Sequence, residues 1–141
     1  MTDAPLGLLV TVPATSANLG PGFDALGLAV DLRLTVRATV GAGHGFEYSG
    51  EQPAPQGEGN LVHRGFAAAY AAVGQQPPPV AFEVENPVPL ARGLGSSSAA
   101  LVAGVAAADA ALGGALGRDG VFRVAAELEG HPDNVGPAVY G

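Results

Sequence analysis

Cysteine, lysine and tryptophan are all missing from the 141 residues of the sequence. Without cysteine there is no disulfide, no thiolate nucleophile and no cysteine-ligated zinc or iron–sulfur centre, and a reducing compartment is permitted. The lack of lysine excludes two ways of handling phosphate, the G-K-[ST] of a Walker A loop and the strand lysine of protein kinases, together with Schiff-base chemistry. Positive charge is scarce altogether. Six arginines against thirteen acidic residues give a net charge of −7, which repels phosphate backbones and anionic headgroups, so neither nucleic acid nor a membrane surface is expected as a partner. Long hydrophobic runs are lacking too: the longest, Ala99 to Ala108, is half a membrane span. The first residues, Met1 to Pro5, lack the positive n-region of a secretory signal, and a cytoplasmic chain is the expectation.

What is present fits one globular domain, since 48% of the residues are hydrophobic and 13% charged. Leu8 to Val12 reads as a short strand ended by Pro13. From Leu32 to Val40 apolar and polar residues alternate strictly, the pattern of a strand with one buried face. The turn Gly41 to Gly45 predicts a hairpin that brings Phe46 to Ser49 back against it. A Gly/Pro-rich loop, Gly50 to Gly59, precedes Asn60, which caps a helix running to the stop at Gly74. Val80 to Val84 alternates as a further strand. An alanine-rich helix over Ser96 to Leu112 follows, with Leu101, Val105, Ala108 and Leu112 on one stripe. A last helix runs from an Asp119 cap to Gly130. The order predicts an α+β fold, a mixed sheet with helices packed on one face.

Three segments carry chemistry. The first helical turn after Pro89-Leu-Ala-Arg-Gly-Leu-Gly-Ser-Ser-Ser-Ala-Ala100 offers unpaired N–H groups and the positive end of a helix, a ready anion site. Gly93 and Gly95 let a phosphate approach the backbone. Ser96, Ser97 and Ser98 can donate to phosphate oxygens or ligate magnesium, and Arg92 supplies the nearby positive charge. The same residues also make an ordinary strand-to-helix turn with Ser96 as N-cap. A Rossmann loop fails on spacing, because Ser98 stands where its third glycine belongs, and a serine-hydrolase elbow meets Ala99 at its fifth position. Segment two, Pro13-Ala-Thr-Ser-Ala-Asn-Leu-Gly-Pro-Gly-Phe-Asp24, is longer than a hairpin needs and gathers Ser16, Asn18 and Asp24. Segment three, Glu127-Leu-Glu-Gly-His-Pro-Asp-Asn134, offers a carboxylate for a magnesium shell beside His131, Asp133 and Asn134. His44 and His63 match no metal spacing and read as surface or packing residues.

Together the three segments resemble the homoserine kinase branch of the GHMP kinase superfamily. The second pattern is shared across the superfamily, including mevalonate kinases and galactokinases, whereas the first and third are similar to homoserine kinases in particular. The resemblance implies a fold like domain 2 of ribosomal protein S5 with a left-handed crossover, and ATP-dependent phosphorylation of L-homoserine with Mg²⁺ in threonine biosynthesis. It places Pro89, Leu90, Ala91, Arg92, Gly93, Leu94, Gly95, Ser96, Ser97, Ser98 and Ala99 around the triphosphate and Asn60 and Val62 at the base. Magnesium would meet Ser97 and Glu127, the latter chosen over Glu129. Homoserine would meet Asn18, Asp24, His131 and Asn134, with Asp133 and Asn134 at the reacting hydroxyl. Residues 1–141 are then the ATP-binding domain, and the family's second domain, with the arginines for the substrate carboxylate, is expected outside them. Another GHMP small-molecule kinase, nucleotide binding without turnover, and a structural half-domain are the alternatives. A domain that lends its face to a cleft exposes apolar surface alone, so self-association, in its simplest form a homodimer, is expected.

Overall fold

Alternation decides where the strands bury themselves. In β2 (Leu28–Val40), Leu34, Val36 and Ala38 are buried while Arg37 and Thr39 are exposed, as the period of two requires. The computed structural model describes residues 6–16, 28–41, 43, 45–50, 61–86 and 96–129. β1 (Leu6–Ser16) pairs antiparallel with β2 from Leu6↔Val40 to Ser16↔Leu28. The strand runs on through Pro13 instead of ending there: β1 is the edge of the sheet, where a missing N–H is tolerated, and the register slips between Pro13 and Ala14 as a bulge.

The predicted hairpin is not formed. β3 (Gly45–Gly50) lies one strand further away, and β4 (Val80–Asn86) fills the place beside β2, giving the order β1-β2-β4-β3. β4 pairs antiparallel with β2 and parallel with β3, where Phe46 faces Phe82. The turn shows why: Gly41 donates its N–H to the Pro79 carbonyl at 2.8 Å, tying the end of β2 to the entry of β4. The interior position also goes to the more apolar strand, since Val80, Phe82 and Val84 are buried whereas Gly45 and Glu47 are exposed.

Helices α1 (Leu61–Ala72), α2 (Ser96–Ala111) and α3 (Gly117–Glu129) cover one face, and the core draws on all three and on β1, β2 and β4. On the other face Thr11, Arg37, Thr39, Glu47, Glu83 and Glu85 are exposed. α2 is buried on more than the one stripe expected: Ala99, Leu101, Val102, Ala103, Val105, Ala107 and Ala108 are all in the core. A helix apolar all round belongs inside, here between α1, α3, β1 and β2. Both α1 and α2 end as glycine permits. Gly74 (φ 72°) and Gly113 (φ 74°) adopt the left-handed conformation, and the next residues, Gln75 and Gly114, return hydrogen bonds to Tyr70 and Asp109.

α3 starts two residues before the expected cap. The Asp109 carboxylate, near the end of α2, accepts the N–H of Leu116 at 2.7 Å and of Gly117 at 3.4 Å, satisfying donors at the start of α3 from the neighbouring helix. Asp119 falls instead within the first turn, where a carboxylate suits the positive end of the helix.

Burial pushes the Tyr70 hydroxyl above its ordinary value of 10.0. The folded chain then holds that proton more tightly than the unfolded one, so the stability this difference supplies is present below the unfolded value and lost as pH rises through the folded value. Tyr70→Phe should flatten the alkaline fall in the urea midpoint above pH about 10; a mutant as steep as wild type would assign that fall to other groups.

Candidate nucleotide and metal site

α2 begins at Ser96, so Ser96, Ser97 and Ser98 form its first turn, which carries no acidic residue. No carboxylate in that turn therefore competes with an anion for its amides. Ala99, next in line, is completely buried and seats the turn in the core.

The candidate metal ligand Glu127 stands on α3. A short connection joins α2 to α3, the two helices pack together, and such an αα-hairpin turns the chain back on itself. At 1.5 Å per residue α2 is about 24 Å long and α3 about 20 Å, so an antiparallel α3 is long enough for its end to reach back toward the start of α2. That end holds Glu127, which is exposed, and Glu129, which is half-buried and engaged in an interaction of its own. No basic residue lies in the last turn of α3. Two carboxylates at the negative end of a helix dipole are unfavourable for the helix, and a divalent cation would relieve them. The donors fit magnesium, which takes hard oxygen ligands.

α1 begins at Leu61. Val62 is buried in the core, where its carbonyl lies against Gly104 of α2. Among the described residues, no group of three or more His, Cys, Asp or Glu gathers as a metal cluster, and no helix is long and apolar enough to cross a membrane. The candidates Asn18, Asp24, Asn60, Pro89 to Gly95, His131, Asp133 and Asn134 lie outside the described residues, as do the loop over 51–59 and His44. β1 and β2 pair up to Ser16 and Leu28, and segment two beyond Ser16 lies outside the described residues. The sequence did not single out Asp109, whose capping of α3 has no local signal because the donors lie seven and eight residues away.

The family model described as GHMP kinases N terminal domain matches residues 60–141, and the chain belongs to that family. Within it, the chain is 62% identical to a homoserine kinase of Thermus thermophilus, over 92% of this chain and 44% of that protein. It is 50% identical to the homoserine kinase of Deinococcus radiodurans, over 94% of this chain and 44% of that one. The chain thus spans less than half the length of these curated relatives. Among solved structures, the homoserine kinase of Cytophaga hutchinsonii superposes with a TM-score of 0.80 at 32% identity, covering 96% of this chain and 46% of that one. The Methanococcus jannaschii mevalonate kinase shares the fold, at a TM-score of 0.70 and 11% identity over 99% of this chain and 52% of that one.

Proposed function

We propose that the full-length protein transfers a phosphoryl group from ATP to the hydroxyl of L-homoserine, giving O-phospho-L-homoserine for threonine biosynthesis, with residues 1–141 as its ATP-binding domain. The observation that carries this is the 62% identity to a homoserine kinase across nearly the whole chain. The fold supports it. Val62 meets α2 at Gly104, eight residues into the helix, about 12 Å from its N-terminal turn. That separates a base at the start of α1 from phosphates at the start of α2 by roughly the reach of a nucleotide.

In this reading Pro89 to Ala99 wrap the triphosphate, with the Ser96–Ser98 turn donating to its oxygens, and Asn60 and Val62 border the base. Glu127 and Ser97 would hold Mg²⁺, which when bound neutralises charge on the phosphate oxygens. Phosphoryl transfer passes through a loose transition state, so positioning and charge neutralisation contribute more than proton removal, which suits a chain without lysine. Asn18, Asp24 and His131 hold homoserine, and Asn134 orients its hydroxyl. Asp133 stands beside that hydroxyl, although a carboxylate is a weak base for an alcohol. The protein works in the cytoplasm, joined to a second domain that completes the substrate site. Leu6 and Leu9, 45% and 60% exposed on opposite faces of edge strand β1, leave apolar side chains at that edge for self-association as a homodimer.

An ADP-release assay on the full-length protein tests the function: turnover with homoserine and none with mevalonate or galactose is expected, and the reverse preference would overturn it. Asp24 reads the substrate ammonium group, which mevalonate and galactose lack. Asp24→Asn should raise the KM for homoserine about ten- to a hundredfold, as loss of a charge-assisted hydrogen bond does, and leave the KM for ATP nearly unchanged. An equal rise for both substrates would make Asp24 a shaper of its loop.

A further inference from the structure

None of the three motif segments includes His63. In the structure it sits in the first turn of α1, half-buried, between the two parallel strands beneath. Its ring meets Phe82 of β4 edge-on, 4.7 Å between centroids at 86°, and Phe46 of β3 at 5.9 Å and 47°. Phe46 and Phe82 are partners in the β3/β4 register, so one side chain of α1 spans both strands. The row continues behind it: Phe82 stands edge-on to Phe66 at 5.5 Å, and Phe66 lies 5.1 Å from Tyr70.

The start of α1 is held on its other side in a different way. Gly65 and Gly104 bring the backbones of α1 and α2 together with no side chain between them. This contact sets how near the helices lie and which face of α1 meets α2. On the sheet side, at the first turn, the His63 ring adds a second constraint on the rotation of α1, because edge-to-face geometry is directional. Rotation of α1 moves Leu61 and Val62, the residues just before His63, relative to the first turn of α2.

We propose that His63 is a positioning residue for nucleotide binding: lodged between Phe46 and Phe82, its ring helps fix the rotation of α1 and so the placing of the base-contacting segment against the phosphate-binding turn. The inference rests on the nucleotide reading given above. It assigns no contact between His63 and the nucleotide. What matters is a flat ring, and phenylalanine should replace it.

Calorimetric titration of the full-length protein with Mg·ATP, beside steady-state kinetics, provides the test. His63→Leu keeps volume and loses the ring. It should weaken ATP binding about three- to tenfold with unchanged stoichiometry and near-normal kcat at saturating ATP, and His63→Phe should restore the affinity. A merely structural role would lower the melting temperature and the fraction of competent sites without changing the affinity of those that remain, and that result overturns the proposal. So does a His63→Phe variant as weak as His63→Leu, which would show that the imidazole nitrogens matter and the flat ring does not. Wild-type protein that binds no ATP would overturn the nucleotide reading itself, whereas normal binding by wild type and His63→Leu alike removes the positioning role alone.

Discussion

Gly104→Val is expected to leave the protein largely unfolded at 25 °C. A Cβ at Gly104 collides with the Val62 carbonyl oxygen and stands 2.9 Å from the Phe66 nitrogen. Both obstacles are backbone of α1, so no rotamer relieves them. Gly65 repeats the arrangement from the other side, with Leu101 O in the way and Val105 N at 3.1 Å. In an exposed helix, glycine to alanine would gain about 1 kcal/mol. Here α1 must move off α2, which opens the core around Phe66 and Leu101, both almost fully buried. Overpacking typically costs about 1–3 kcal/mol even where side chains can yield, and backbone yields less. Gly104→Ala should therefore lose about 3 kcal/mol or more despite its better propensity, and valine more still, against total stabilities of only about 5–15 kcal/mol. Urea unfolding followed by circular dichroism measures both. A Gly104→Ala melting temperature within about 2 °C of wild type would mean the helices part at little cost.

The second large effect falls on Glu127. In the full-length protein Glu127→Gln should lower kcat on the order of a hundredfold or more and shift half-saturation by magnesium to higher concentration, as loss of a ligand to a charge-neutralising ion does. It should not destabilise the fold, because Glu127 is exposed and its charge opposes the dipole of α3. Glu129, half-buried and already engaged, should behave conversely, with Glu129→Gln lowering the melting temperature before it touches magnesium dependence. If magnesium dependence follows Glu129 and not Glu127, the ligand is Glu129.

Periodicity and glycine placed most elements. The alternation in β2 named Leu34, Val36 and Ala38 as core, and Gly74 and Gly113 marked two helix ends, because both signals are local. Strand pairing is not local. The glycine-rich turn after Val40 reads as a hairpin until Val80–Asn86 enters the comparison, and only the greater apolarity of that later strand, with the Gly41–Pro79 hydrogen bond, decides who sits beside β2. The early start of α3 was hidden for a similar reason, since its N-terminal donors are satisfied by Asp109 on another helix. Of the candidate site, the position of the serines at the head of α2 and of the glutamates at the end of α3 was legible from spacing. His63 was not, because a histidine between Val62 and Arg64 says nothing of the two phenylalanines that only sheet registry brings beneath it.

The strand order has a consequence for how the chain is made. Among the described residues β3 is hydrogen-bonded only to β4, which is synthesised after it with the whole of α1 in between. At about 5–20 residues per second, β3 waits on the order of seconds on the ribosome with no partner, while β1 and β2 are already free to zip together. During that interval the exposed edge of β2 is open to the wrong neighbour, and β3, next in the chain, is the strand most able to take it. A β2–β3 hairpin, the pairing that the local sequence favours, is thus a natural trap in the folding of this domain, and β4 must displace it by inserting between the two.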